Sequence, residues 1–244
     1  WAEKTWNPTS GCTPVSEGCQ NCYAKRMAQR LRGRCGYPED EPFRVTLHPD
    51  RLEEPLRLRK PSRIFVCSMS DLFHEDVPFE FVDQVFDVMA TARKHTFMVL
   101  TKRPERMRQL LTDEVWQRYA GGYSKQWPLP NVWLGVTAEN QDRADERIPV
   151  LLQTPANVRF VSCEPLLGPI DFSKVPGFNR MGVSLWHWWI VAGGETGPNA
   201  RPMHPDWVRG LRDQCQAAGV PFMFKQWGEY FPRDQWEHNP YLVL

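Results

Sequence analysis

The residues best suited to chemistry in this sequence are three cysteines that lie close together near its start. Cys12, Cys19 and Cys22 follow the spacing C-x6-C-x2-C. A closed structural zinc site takes four protein ligands, so three thiolates leave one coordination position of a metal centre without a protein ligand. A substrate or a cofactor can bind at an open position of this kind.

Four interpretations fit this cysteine trio. A four-iron, four-sulfur (4Fe-4S) cluster with one iron free explains three cysteines in one loop most directly. A zinc ion completed by Cys35 or by a histidine is the main alternative. A disulfide with a leftover thiol, or simple burial of three small apolar side chains, would give the trio no catalytic role.

The residues around the cysteines predict a loop over 8–24 that leads into a helix. Pro14, Ser16, Glu17, Gly18 and Asn21 are loop formers, and the run that begins at Tyr23 is typical of a helix start. Cys22 would then lie in the first turn of this helix, where backbone N–H groups favour a thiolate.

Composition gives no sign of a strongly charged partner. The 30 basic and 29 acidic residues nearly cancel, so a nucleic-acid partner must be argued from local patches. Seven cysteines without a paired framework suit a reducing compartment, and we expect a cytoplasmic protein. No apolar run approaches the length of a membrane span, so we expect no membrane partner.

Short apolar runs separated by amphipathic segments predict a parallel α/β fold. The runs at 64–68, 97–101, 132–137, 158–163, 188–192 and 221–225 are continuously apolar, as in strands that are buried on both faces. A short first strand is expected at 5–7, and helices are expected at 79–93 and 205–218. We predict one domain over 1–244, a parallel (β/α) barrel of six to seven units, complete or incomplete, with a C-terminal extension at 226–244.

Polar residues directly follow six of the predicted strands. A single polar strand end carries little weight, because strand ends reach solvent in most proteins. Six of them beside a cysteine loop favour a site, since the C-terminal ends of parallel strands meet at one edge. The candidates are Ser68, Ser70, Asp71, Thr101, Lys102, Thr137, Glu139, Asn140, Glu164, Gly193, Gly194, Glu195 and Lys225.

Several longer motifs resemble a known family over nearly the whole chain. The segments TWNPTSGCTPVSEGCQNCYA, LTKRPERM, VWLGVTAENQ, RFVSCEPLLGPI, WIVAGGETGPNARP and PFMFKQWG are similar, in this order, to the phage-type three-Cys-motif family of radical-SAM-like proteins. That family lies within the radical S-adenosylmethionine (SAM) superfamily. The superfamily's usual spacing is C-x3-C-x2-C, whereas six residues separate Cys12 from Cys19 here. Its Gly-Gly-Glu usually follows the second strand, and here it follows the sixth.

The resemblance implies a TIM-like radical SAM barrel and a mechanism. Cys12, Cys19 and Cys22 would hold three irons of a 4Fe-4S cluster, and the fourth iron would bind SAM. One electron from an external flavodoxin- or ferredoxin-like donor would cleave SAM to a 5′-deoxyadenosyl radical. This radical would take a hydrogen atom from the substrate, while the protein orients the cofactor and excludes competing reactions.

The resemblance also leads us to assign roles to the strand-end residues. The methionyl end of SAM would be held by Ser68, Ser70 and Asp71, and the ribose by Thr137, Glu139 and Asn140. Tyr23 would pack beside the cluster or the adenine. Further cofactor contacts are expected from Thr101, Lys102, Gly193 and Gly194. The residues expected to act in catalysis, facing the cofactor or the substrate, are Glu164, Glu195 and Lys225.

Three basic clusters and several loop tryptophans could follow a phosphate backbone and stack an extruded base. The clusters lie at 25–34, 57–63 and 102–108, and the tryptophans are Trp127, Trp186, Trp227 and Trp236. A solvated helix face balanced by nearby acids is the alternative for the first two clusters. The family's phage association favours modification of DNA, RNA or a nucleotide, by analogy only.

The sequence therefore leads to three hypotheses on the function of this protein. The first is a radical SAM enzyme that acts on a nucleic acid or a nucleotide. The second is a zinc- or cluster-stabilised nucleic-acid-binding module without turnover. The third is a degenerate barrel that serves as a subunit of a partner protein. Only the first requires SAM cleavage, and only the second requires steeply salt-dependent nucleic-acid binding without it.

Overall fold

Most strands of this protein line up in chain order in one parallel sheet. The structure is a computed structural model, and it describes residues 1–112, 127–175 and 188–230. The strands are β1 (Lys4–Trp6), β2 (Thr9–Ser10), β3 (Thr46–Leu47), β4 (Arg63–Val66), β5 (Thr96–Thr101), β6 (Val132–Thr137), β7 (Val158–Cys163), β8 (Trp188–Gly193) and β9 (Phe222–Gln226). Seven of them form a parallel sheet in the order β1-β4-β5-β6-β7-β8-β9. Strands β2 and β3 pair antiparallel on their own.

Helices separate the strands of the sheet. They are α1 (Tyr23–Arg30), α2 (Glu54–Arg57), α3 (Phe79–Thr91), α4 (Pro104–Thr112), α5 (Gln141–Gln153) and α6 (Pro205–Ala218), with 3-10 turns at Glu17–Cys19, Pro49–Arg51 and Phe172–Lys174. Helix α6 begins at a proline and is followed by Gly219 at φ 66°, the left-handed geometry that glycine adopts at helix ends. In the parts of the chain that are described, none of the helices is both long and apolar enough to span a bilayer.

The predicted parallel strands and the two predicted helices are confirmed, with boundaries that shift by at most two residues. The periodicity was informative because parallel strands are covered on both faces and helices on one. Most of the predicted C-terminal extension, from 231 onward, lies outside the described residues. Trp186 and Trp236 also lie outside them, so their predicted contacts with bases stay predictions.

The sheet curls into a half-barrel. The ring of Trp1 lies 5.5 Å from that of Phe65 on β4 and 5.4 Å from that of Trp189 on β8. Four inter-strand steps of about 4.8 Å would place β4 and β8 about 19 Å apart in a flat sheet, so the sheet must bend for one ring to reach both. Strands β1 and β9 are not paired with each other in the described sheet. The fold is therefore a partial parallel α/β barrel.

The helices cover the convex face of this half-barrel. Alternate strand residues join helix residues in one hydrophobic core, including Val66, Val99, Val136, Val161 and Ile190 from the strands and Phe86, Ile148 and Leu211 from the helices. The intervening strand residues face the concave side because successive side chains of a strand point to opposite faces. This arrangement leaves the concave side and the C-terminal strand ends to form a site.

Gly135 on β6 offers a test of the packing on the concave side. A Cβ at this position would lie 2.6 Å from the ring of Phe160 on the neighbouring strand. We expect Gly135→Ala to lower the free energy of unfolding by about 1–3 kcal/mol, because the ring must move within a packed layer. Gly210→Ala in α6 is the control, since nothing lies within 4 Å of its added Cβ. It should raise stability by up to about 1 kcal/mol. Urea unfolding curves measure both, and equal effects would contradict this packing.

Three buried histidines predict sensitivity to mild acid. Burial lowers the pKa of His48, His74 and His95, so these side chains are neutral in the folded state. In the unfolded chain a histidine takes up a proton near pH 6.5. The unfolded state therefore binds more protons, and the free energy of unfolding should fall as the pH drops below about 6.5. Urea unfolding at pH 7.5 and pH 5.5 measures the difference, and equal stability at both values would contradict neutral burial.

Candidate functional site

A cavity of about 820 Å³ opens at the C-terminal ends of the parallel strands. Cys12, Cys19 and Cys22 all line it. It continues along the concave side of the sheet, where Phe65 and Leu100 form part of its apolar wall. Parallel α/β barrels place their sites at this end, and the volume is in the range of about 300–1,000 Å³ that is typical of ligand pockets.

The structure brings most of the predicted site residues together around this cavity. Besides the cysteines, the lining residues among them are Tyr23, Ser68, Ser70, Asp71, Thr101, Lys102, Thr137, Glu164, Gly194, Glu195 and Lys225. Glu139, Asn140 and Gly193 are not among the residues that line it. The contacts of each side chain distinguish the residues that hold the loop from those that face the cavity.

Arg103 fastens the start of the cysteine loop, which we define as residues 12–22, to the end of β5. Its guanidinium donates hydrogen bonds to Thr13 Oγ1 at 2.9 Å and to the Thr13 carbonyl oxygen at 3.1 Å, and it reaches Cys12 Sγ at 3.5 Å. Asp71 accepts from Thr101 Oγ1 at 2.8 Å and lies 3.4 Å from the Arg103 guanidinium. Burial raises the pKa of the Cys12 thiol to about 11, and Asp71 adds to this while Arg103 opposes it.

Glu139 fastens the middle of the loop to the end of β6. It is 0% exposed, and its carboxylate accepts a hydrogen bond from Ser16 Oγ at 2.6 Å and another from Arg147 at 2.8 Å. The loop passes so close that a Cβ on Gly18 would lie 2.3 Å from Glu139 Oε1. The neighbouring Asn140 caps α5 and donates to Glu17 of the loop. Neither residue is among those that line the cavity, and the contact of both with a ribose, which the resemblance implies, stays a prediction.

Glu195 fastens the end of the loop to the segment after β8. Its carboxylate accepts hydrogen bonds from Asn21 Nδ2 and Arg201 Nε, both at 2.9 Å. Arg201 also donates to the carbonyl oxygen of Glu17 at 2.9 Å, so it contacts both Glu195 and the cysteine loop. Burial alone would raise the pKa of Glu195, but the hydrogen bonds from Arg201 and Asn21 outweigh it and lower the pKa. The Glu195 carboxylate is therefore ionised, and both of its oxygens accept hydrogen bonds from loop or Arg201 donors.

The sequence did not predict these hydrogen bonds between the cysteine loop and the strand ends. Ser16, Glu17 and Asn21 were predicted only as loop formers, and Arg147 and Arg201 were not singled out. One signal was present, because a loop with three polar side chains beside charged strand ends needs partners for them. Nothing in the sequence, however, indicated which strand end each loop residue would meet.

Other polar groups remain directed toward the cavity. Lys102 Nζ lies 3.4 Å from Thr137 Oγ1 and 4.0 Å from Glu139 Oε1, and its side chain is 22% exposed. Lys225 Nζ donates to Glu164 at 2.9 Å. These groups are able to bind an anionic group and an ammonium or hydroxyl group, respectively.

The donors that the loop offers for a metal centre are the thiols of Cys12, Cys19 and Cys22. Cys67, directly after β4, is a fourth cysteine at the cavity wall, but it is 4% exposed and its thiol contacts Thr9 Oγ1 at 3.3 Å. All four cysteines are free, and no histidine is among the described residues that line the cavity. Cys35 is exposed and does not line it. Across the described ranges, no group of three or more His, Cys, Asp or Glu side chains is arranged so that it could hold a metal ion. The donor types fit an iron–sulfur cluster or zinc, both of which prefer thiolate ligands.

The chain belongs to the family described as Protein of unknown function (DUF5131), whose model matches residues 1–241. No curated protein and no solved structure matches the chain. The family description states no activity, so the function has to be argued from the cavity and its residues.

The contact between Glu139 and Arg147 predicts a large stability effect for a small change. Both side chains are at most 1% exposed. Glu139→Gln would leave the Arg147 guanidinium buried without a counter-charge, and we expect a loss of about 3–5 kcal/mol in the free energy of unfolding. Glu164→Gln is the matched control, because its pair with Lys225 is partly exposed and should contribute at most about 1 kcal/mol. Urea unfolding of both variants measures this, and similar losses would contradict the assigned role of Glu139.

Proposed function

We propose that this protein is a radical SAM enzyme whose cavity holds a 4Fe-4S cluster on Cys12, Cys19 and Cys22. The observation that carries the proposal is that three free thiols line one cavity at the C-terminal edge of a partial α/β barrel. Among the described residues no histidine lines that cavity, and Cys67 is the one further cysteine that does. Because Cys67 is only 4% exposed and lies outside the loop, the accessible donor set is three thiols, which leaves a position for SAM.

The residues of the chain have separate tasks in this proposal. Arg103, Glu139 and Glu195 hold the cysteine loop over the strand ends, so that the thiols keep their positions. Lys102 binds a carboxylate of the cofactor or an anionic group of the substrate. Glu164 and Lys225 lie at the cavity wall, where they orient polar groups of the cofactor or the substrate. When bound, the cluster and SAM would supply the radical that takes a hydrogen atom from the substrate.

We propose a nucleic acid or a nucleotide as the substrate. The family resemblance supports this class, and so do the aromatic side chains Trp1 and Phe65 at the cavity wall, because aromatic rings stack on bases. Lys102 at the cavity wall adds a positive charge that suits a phosphate. The alternative, a nucleic-acid-binding module stabilised by zinc or by a cluster, shares these features and differs in having no turnover.

Anaerobic reconstitution with iron and sulfide tests the proposal. We expect about four irons per chain in the wild type, and 5′-deoxyadenosine after addition of dithionite and SAM. Cys12→Ala, Cys19→Ala and Cys22→Ala should each lose the cluster absorbance and the product. Cys35→Ala is the matched control, because Cys35 is exposed and does not line the cavity. It should keep both.

Three other results would count against the enzyme. Zinc in place of iron, lost when Cys35 is replaced, would favour a four-cysteine zinc site. A cluster that never cleaves SAM, together with salt-dependent binding of nucleic acid, would favour the binding module. Loss of stability alone in the cysteine variants, with no metal bound, would favour a subunit without catalysis.

A further inference from the structure

The surface beside the cysteine loop exposes apolar side chains. In the described residues, five large apolar side chains are exposed, and three of them are Val15, Tyr23 and Met27, at 41%, 52% and 40%. Tyr23 and Met27 are one turn apart on α1, so they share a face of this helix. Val15 and Tyr23 both line the cavity. Neighbouring exposed apolar side chains of this kind often mark a binding surface.

Positive charge continues along α1 and the turn that follows it, although Glu39, Asp40 and Glu41 come next in the chain and Glu39 lies 3.8 Å from the position of an added Cβ on Gly33. The sequence from 18 to 38 contains no Asp or Glu, and its basic residues are Lys25, Arg26, Arg30, Arg32 and Arg34. The contacts of three of them go to neutral groups, namely the Thr196 carbonyl, the Gln29 side chain and the Arg30 carbonyl. In the second basic cluster, by contrast, Arg57 and Arg63 form ion pairs with Glu53 and Glu3. We call the exposed apolar trio and the exposed cations Lys25, Arg30, Arg32 and Arg34 the α1 surface.

The α1 surface begins at the cysteines. Cys22 is the residue that precedes the first turn of α1. A helix rises about 1.5 Å per residue, so Arg30 lies only about 12 Å from Cys22 along the helix axis. A molecule that covers Tyr23 and Met27 therefore lies directly beside the cysteine loop.

We propose that the α1 surface is the docking site of the one-electron donor, a small acidic redox protein. Its carboxylates would face the cations of α1, and the apolar edge around its redox group would contact Val15, Tyr23 and Met27. An apolar centre with a charged periphery is typical of protein interfaces, and redox complexes use small ones. A nucleic-acid backbone would use the cations but has less need of exposed Val15 and Met27. This inference rests on the proposed function, because only a redox centre at the cysteines needs an electron.

A flavin protein is able to supply the single electron that the cluster needs. The anionic flavin hydroquinone of the partner gives up one electron and becomes the neutral semiquinone, and the oxidised cluster gains the electron. Charge attraction acts mainly on the association rate, so the reduction should be fast at low salt and slow at high salt. This dependence separates docking on the α1 surface from reduction by a small molecule.

The test compares two triple variants of the reconstituted protein that remove the same charge. Arg30→Gln/Arg32→Gln/Arg34→Gln changes the α1 surface. Arg57→Gln/Arg59→Gln/Lys60→Gln is the matched control. These residues precede the N-terminal end of β4, whereas the cavity opens at the C-terminal ends of the strands. Stopped-flow absorbance follows semiquinone formation after mixing with flavodoxin hydroquinone at low salt. We expect the second-order rate constant to fall at least about tenfold in the α1 variant and less than about twofold in the control.

Iron content and reduction by dithionite test the proposed function separately. Both should be the same in the wild type and in the two variants, and a wild type that forms no reducible cluster would end both proposals. Equal flavodoxin rates in all three proteins, with the cluster intact, would overturn the docking inference and leave the enzyme standing. The inference would also fail if the α1 variant lost only the binding of a labelled single-stranded DNA 20-mer, measured by anisotropy, while flavodoxin still reduced it at the wild-type rate.

Discussion

The arrangement of this site depends on buried polar contacts that tie a cysteine-bearing loop to the ends of the sheet. The loop has few apolar side chains, so a hydrophobic core does not hold it. Its polar groups are held instead by Arg103, Glu139 and Glu195, which are at most 7% exposed. Each of these charges has a counter-charge and additional hydrogen bonds, and such satisfaction is what makes a buried charge tolerable. The positions of the three thiols follow from these contacts.

The strand ends consequently divide into two groups. Arg103 after β5, Glu139 after β6 and Glu195 after β8 supply charges that hold the loop. Lys102, Glu164 and Lys225 remain at the cavity wall, with side chains that are partly exposed. A charged residue after a parallel strand can thus serve the scaffold or the ligand, and its burial and contacts distinguish the two. In a cavity whose ligand is unknown, the partly exposed charged residues are therefore the candidates for ligand binding.

The incomplete barrel explains the size of the cavity. A closed eight-stranded barrel fills its interior with side chains. Here the described sheet has seven strands and curls without closing, so its concave side keeps free volume beside Phe65 and Leu100. Such a cavity has room for a cofactor and for part of a large substrate. The cysteine loop lies at one end of it and the exposed face of α1 beside that loop, which places a binding surface close to the proposed redox centre.

The sequence by itself determined the strands of the parallel sheet, the two long amphipathic helices and the gathering of polar strand ends at one edge, but not the small pair of β2 and β3. These features depend on local periodicity and on the parallel order of the strands, and both can be read from residue types. Only the tertiary structure decided that Glu139, Asn140 and Glu195 hold the loop while Lys102 and Glu164 face the cavity. The partners of these side chains lie more than 100 residues away in several cases, as Ser16 does from Glu139. The choice between ligand and scaffold depends on side-chain burial, which a residue's type and its place after a strand leave open.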